Sequence, residues 1–127
     1  MGVFSGIFGN NKEKKESFIT WTPLTSLHEL EEIKKQSLKQ PIAIFKHSTR
    51  CSISSIVIKR FAGSFDVSLK NFKVYYLDLI TYREISNEVA YQFEVIHQSP
   101  QLLVVKNGVV LAHASHYEIT QIDLKKF

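Results

Sequence analysis

The chain has 127 residues, 44% of them hydrophobic, and a formal net charge of +4. That length supports one domain whose core needs neither disulfides nor metals. A single cysteine, Cys51, excludes an internal disulfide and, with no secretory signal recognised, fits a reducing cytoplasm. No run approaches the ~20 apolar residues of a membrane span. The scattered lysines form no nucleic-acid-binding motif, so neither nucleic acid nor membrane is an expected partner.

Residues 1–17 are rich in Gly, Asn, Lys and Glu and are expected to form a mobile arm, leaving 18–127 as the folded domain. Phe18-Ile19-Thr20-Trp21-Thr22 suits a short strand that Pro23 ends. Ser26-Leu27-His28-Glu29 is a capping box, a hydroxyl followed by a carboxylate three residues on. Leu27, Leu30, Ile33 and Leu38 continue at near-helical spacing, which predicts a helix over 26–39.

Residues 41–45 (Pro-Ile-Ala-Ile-Phe) are apolar on both alternating faces, the pattern of a central parallel strand covered on both sides. Lys46-His47-Ser48-Thr49-Arg50 read as a polar, basic connection. Ser52 to Phe65 then read as an amphipathic helix, with Ile53, Val57 and Phe61 every four residues and Ile56 beside them. Val74 to Leu79 is a second apolar strand. Thr81-Tyr82-Arg83-Glu84 is another capping box, with Ile85, Val89 and Phe93 behind it.

The period then changes. Leu102–Lys106 and Val109–His113 flank Asn107-Gly108, a strong hairpin signal because a type I′ turn needs positive φ at both central positions. Ser115-His116-Tyr117-Glu118 opens a last capping box with Ile119 and Ile122 behind it. The order is β-α-β-α-β-α-β-β-α: an α/β domain with a mixed central sheet and helices on both faces. In such sheets the loop after a central strand, at the carboxyl edge, is the natural ligand site. Cys51 lies in that loop.

A cysteine where a helix begins meets unpaired amide donors and the positive end of the helix dipole. Both favour thiolate over thiol, and Arg50, Lys46 and His47 could add positive charge. Ser54 stands where a C-x-x-C motif has its second cysteine. With no internal thiol to resolve it, a mixed disulfide on Cys51 must wait for an outside thiol, which is monothiol exchange. Ser54 could donate a hydrogen bond to the Cys51 sulfur, or be a small polar residue of the helix. His47 could orient the thiol or partner nearby backbone. Ser99-Pro100, just before the hairpin, is expected to form a cis-proline loop facing Cys51, with the Ser99 backbone free to pair with substrate. A zinc site built from Cys51 and the histidines, including His113 and His116, fits no ordinary ligand spacing.

The run Lys46-His47-Ser48-Thr49-Arg50-Cys51-Ser52-Ile53-Ser54 resembles the signature of the YtxJ family, K-H-S-T-x-C-P-I-S. Those proteins are thioredoxin-like monothiol bacilliredoxins of bacillithiol-using Gram-positive bacteria. The chain departs at Ser52, where the family usually has proline. His97-Gln98-Ser99-Pro100-Gln101, the Lys106-Asn107-Gly108 turn and His113-Ala114-Ser115-His116 also resemble the family, and the likeness spans about 18–124.

The resemblance implies a thioredoxin-like fold and a monomeric enzyme that binds no cofactor and uses bacillithiol as an exchange substrate. Cys51 would take bacillithiol from mixed disulfides on client proteins, and bacillithiol or another thiol would then reduce it. Lys46, Arg50 and Lys106 would meet the carboxylates of bacillithiol, with Lys46, His47, Ser48, Thr49, Arg50, Ser54, Ser99 and Pro100 tuning the thiol or binding substrate. The reading from a different class is a redox sensor or interaction module whose Cys51 is S-thiolated under oxidative stress without turnover.

Overall fold

The computed structural model describes residues 18–127, so the arm expected over 1–17 lies outside the described residues. Strands β1 (Trp21–Pro23), β2 (Ile42–His47), β3 (Lys73–Asp78), β4 (Gln101–Lys106) and β5 (Val109–Ser115) alternate with helices α1 (Leu27–Gln36), α2 (Ser52–Gly63) and α3 (Arg83–Phe93) as expected up to the hairpin. The last element differs. Residues His116–Gln121 and Leu124–Lys126 are 3₁₀ turns, not an α-helix. His116 takes a left-handed φ of 58° and Ser115 makes no side-chain cap, so the expected capping box does not form there.

The sheet order is β1-β3-β2-β4-β5, with β1 and β2 parallel to β3 and with β4 antiparallel to both β2 and β5. β2 is therefore central. Ile42 and Ile44 point to one face, where they pack with Leu30 and Ile33 of α1 and Ile85, Val89 and Phe93 of α3. Ala43 and Phe45 point to the other, against Val57 and Phe61 of α2 and Ile119 of the 3₁₀ turn. Burying such side chains on both faces is what makes this strand a near-continuous apolar run. Each large apolar side chain contributes about 1.5–3 kcal/mol by leaving water.

Local chemistry sets the ends of the elements. Ser26 caps α1, accepting from the Glu29 amide at 3.1 Å. The Glu29 carboxylate accepts from the Thr25 N–H at 2.7 Å. Before α3 the expected Thr81 cap does not form: the N-cap is Tyr82, with no side-chain bond, and the Asp78 carboxylate closes the preceding turn, accepting from the amides of Ile80 and Thr81 at 3.1 and 3.2 Å. The hairpin turn is as expected: Asn107 and Gly108 have φ of 56° and 78°. It docks on the end of α1, where the Ser37 carbonyl and hydroxyl accept from the Asn107 and Gly108 amides.

One edge of this sheet collects four chain segments. β2 and β3 end there, followed by the Ser48–Cys51 turn and the Asp78–Thr81 turn. The segment 94–100 enters β4 there, and β5 leaves for the 3₁₀ turn. Lys106 lies at the far end of β4. At about 3.4 Å per residue a six-residue strand puts it roughly 17 Å from that edge.

Candidate active site at the Cys51 edge

Cys51 is the N-cap of α2, in extended backbone, and is partly exposed. Its amide closes a turn on the Ser48 carbonyl at 3.2 Å, and its carbonyl accepts the first helical bond, from Ser55, at 3.1 Å. The first turn of α2 contains no acidic residue and the cap makes no side-chain bond. The amides of that turn thus face the Cys51 position without a competing carboxylate.

β2 runs two residues further than the apolar pattern suggested. Lys46 and His47 belong to the strand, not to a loop, and both are buried along with Ser48. Thr49 and Arg50 alone form the exposed, basic part of the connection. The strand extends because Lys46 and His47 keep pairing, with Leu77 and Asp78 of β3.

His47 shares its face with Phe45 and reaches Ser54, Nδ1 to Oγ at 2.7 Å. Ser54 is fully buried, and its Oγ also accepts from the Ser48 amide at 3.1 Å. The hydroxyl therefore ties α2 to the turn that carries Cys51. This corrects the expectation that Ser54 donates to the Cys51 sulfur. Burial holds the His47 pKa below its ordinary value, partly opposed by the neighbouring Asp78 carboxylate.

Lys46 points to the opposite face and is fully buried. Its Nζ donates to the Ser86 carbonyl at 3.1 Å and lies 3.3 Å from His97 Nδ1. Burial, and secondarily the Arg83 charge, bring its pKa down to about 8. A buried ammonium so engaged cannot meet the carboxylates of a ligand at Cys51, and Lys106 stands at the wrong edge. Of the three cations expected in that role, Arg50 is the exposed one adjacent to Cys51.

The Ser99–Pro100 peptide is cis, as expected. The pairing of Lys46 with Gln101 brings the start of β4 beside the end of β2, so the cis-proline loop and the Cys51 turn share the sheet edge. The Pro100 carbonyl is already taken by the His116 amide at 3.0 Å. The side-chain oxygens Oγ of Ser99 and Oε1 of Gln101, on either side of Pro100, are buried with no hydrogen-bond partner among the described residues.

Ser86, His97 and Gln101 belong to the site region although composition and spacing did not single out their contacts. The available signal was the buried character of Lys46, which demands partners. The stripe expected on α2 is also rearranged. Ile53 and Ile56 are exposed, at 36% and 42%, while Ser54 occupies the buried position. Cys51 is not among the residues lining the cavities beside α3 and β5. One of about 400 Å³ lies behind the cis-proline segment, lined by Ile96, Gln98, Gln101 and Ser115 among others.

A lone thiol on a helix N-cap, across a sheet edge from a cis-proline, is the arrangement of a thioredoxin-fold thiol–disulfide oxidoreductase. The likeness extends to solved structures. A protein proposed to be an oxidoreductase with a thioredoxin fold aligns at 26% identity and a TM-score of 0.68, covering 78% of this chain and 85% of its own. Mitochondrial thioredoxin 3 of Saccharomyces cerevisiae aligns at 18% identity and a TM-score of 0.66, covering 87% of this chain and 95% of its own. The thioredoxin of Malassezia sympodialis aligns at 16% identity and a TM-score of 0.66, covering 85% and 86%. The family described as monothiol bacilliredoxin BrxC matches residues 22–124. The chain belongs to that family. Among the described residues no helix is long and apolar enough to cross a membrane.

Proposed function

We propose that this protein removes bacillithiol from mixed disulfides on client proteins. The Cys51 thiolate attacks the bacillithiol sulfur of the mixed disulfide. A Cys51–bacillithiol disulfide forms as the client disulfide breaks, and the client thiolate leaves with the electron pair and takes up a proton. A second thiol from solution, bacillithiol itself or another reductant, then attacks the adduct and restores Cys51. The observation that carries this reading is that the chain's single thiol stands at the N-cap of α2 while Ser54 occupies the resolving position. Chemistry that stops at a mixed disulfide follows from that arrangement.

In this reading Arg50 receives a carboxylate of the small thiol and Ile53 and Ile80 supply apolar contact for a protein client, which their exposure supports. The cis-proline segment offers the Ser99 backbone to the bound substrate. No bound cofactor enters this chemistry, which requires one chain and a reducing compartment, the cytoplasm. The test is intact mass of both partners after mixing with a bacillithiolated model protein. The expected result is one bacillithiol gained on Cys51 and one lost from the client. A client that keeps its adduct, while Cys51 remains alkylatable, overturns the reading.

A further inference from the structure

Lys46 is a buried cation that thiol–disulfide exchange does not itself require. Among the described residues no carboxylate forms an ion pair with it. Burying an unpaired charge is costly, so its retention calls for a physical role. Its partners define one. Nζ lies 3.3 Å and Ser86 Oγ 3.4 Å from the same ring nitrogen, His97 Nδ1. An ammonium only donates. Nδ1 is therefore the acceptor, and the ring carries its proton on Nε2. Burial first, then the charges of Lys46 and Arg83, hold the His97 pKa below its ordinary value.

His97 lies in the segment between Glu94, the left-handed C-cap of α3, and the cis Ser99–Pro100 bond. A second sheet residue holds that segment at the adjacent position: Gln101 Nε2 donates to the Ile96 carbonyl at 2.9 Å. Gln101 and Lys46 are cross-strand partners on β4 and β2. Two neighbouring side chains of the sheet thus pin two neighbouring residues of the segment that delivers Pro100 to the Cys51 edge. The Lys46 backbone is also continuous, through His47 and Ser48, with the turn carrying Cys51.

We propose that Lys46, acting through His97, is a positioning residue for exchange at Cys51, holding the cis-proline segment at the spacing where a peptide-borne disulfide is attacked. This deepens the thiol-exchange reading and rests on it. The charged groups facing His97 are Lys46 from β2 and Arg83 from α3, with Ser86 the neutral polar neighbour on α3. Protonating the ring would turn its accepting nitrogen into a donor aimed at an ammonium. The tether would break and the segment would be released as pH falls.

The test uses a peptide whose cysteine carries 5-thio-2-nitrobenzoate. Attack by Cys51 on the peptide sulfur forms the Cys51–peptide disulfide and expels the coloured thiolate, which any reactive thiol can do whether or not it accepts bacillithiol. Failure of the bacillithiol transfer therefore leaves this readout intact. Iodoacetamide alkylation of Cys51 reports the thiol without engaging the cis-proline segment. Lys46→Met should slow the peptide exchange by about tenfold or more while alkylation stays within about twofold. His97→Phe should do the same, and His97→Gln, whose amide oxygen can accept from Lys46, should retain the exchange rate. In the wild type the ratio of exchange to alkylation should fall as pH drops below about 6.5, and in His97→Gln it should be flat. Equal slowing of both rates in Lys46→Met, slowing of neither, or loss of exchange in His97→Gln as in His97→Phe would each overturn the proposal. So would a pH-dependent ratio that survives in His97→Gln.

Discussion

Lys46 and His47 are consecutive residues of one strand, both buried and both polar, yet they serve opposite faces of the sheet in different ways. His47 makes a short, neutral contact: its ring meets Ser54, and Ser54 meets the Ser48 amide. That network joins β2, the Cys51 turn and α2 on the α2 face. Lys46 makes a charged contact across the other face, to a helix carbonyl and to His97. The alternation of a strand sends neighbouring side chains to opposite sides, so two adjacent positions secure the two halves of the site. The neutral network stabilises at little electrostatic cost, whereas the charged one trades stability for placement. Variants that separate these roles test the comparison directly.

The largest effect falls on the group that both networks frame. Cys51→Ala should abolish bacillithiol transfer while leaving the thermal unfolding midpoint within about 4 °C of wild type, since a partly exposed N-cap with no side-chain bond contributes little packing. Retained transfer, read by intact mass of the client, would remove Cys51 from its role.

Breaking the neutral side comes next. Ser54→Ala leaves the buried Ser48 amide and the His47 ring without their shared partner, and should destabilise the fold by about 1–3 kcal/mol in urea unfolding. Cys51 should also become more accessible to alkylation as the turn loosens. A loss below ~0.5 kcal/mol would mean that this network does not hold the turn.

The charged side should respond with the opposite sign. Lys46→Met removes a fully buried ammonium and should raise stability at pH 7 by about 1 kcal/mol even as exchange falls. A folded pKa near 8 lies below the unfolded value, so the folded state releases this proton first as pH rises. Wild-type stability should therefore climb relative to Lys46→Met between about pH 8 and pH 10.4. A parallel pair of stability–pH curves would show that the lysine is better solvated than its burial indicates.

Acid should act on both faces. The folded pKa values of His47 and His97 lie below the ordinary value, so the unfolded chain takes up these protons first. Their contribution is full above about pH 6.5 and is lost as pH falls through that value towards the folded pKa. Urea midpoints at pH 7.5 and pH 5.5 should differ, and the difference should shrink in His97→Gln. A midpoint that rises on acidification would reverse the sign and the assignment.

The smallest effects concern the surface cations. Arg50→Ala should weaken capture of the bacillithiol adduct by roughly three- to tenfold, as loss of a charge-assisted contact. Lys106→Ala, at the opposite sheet edge, should change the transfer rate by less than about twofold. Equal losses would place the carboxylate contacts elsewhere.

Much of this was legible along the chain. The apolar run 42–45, the Asn107-Gly108 turn and the lone thiol before a helix each express a local rule, and local rules survive into the fold. Backbone periodicity, positive φ and the absence of a second cysteine need no distant partner to be read. The family signature around Cys51 and the proline before β4 located the reactive edge for the same reason. The terminal segment departs from the helix its capping-box spacing predicts because the Pro100 carbonyl engages the His116 amide and the chain turns left-handed there.

What the tertiary structure alone decided is the function of each polar side chain near the thiol. Lys46 looks like a loop cation in sequence, but β3 and β4 pair on either side of it, α3 covers it, and its charge is turned inward. Ser54 looks like a donor to the Cys51 sulfur, but in the fold its hydroxyl is engaged by His47 and the Ser48 amide. Ile53 continues an apolar stripe in sequence and is exposed beside the thiol in the fold. The type of a side chain is written locally, whereas its partners depend on which distant backbone comes to lie next to it, and that is settled only when the sheet closes around β2.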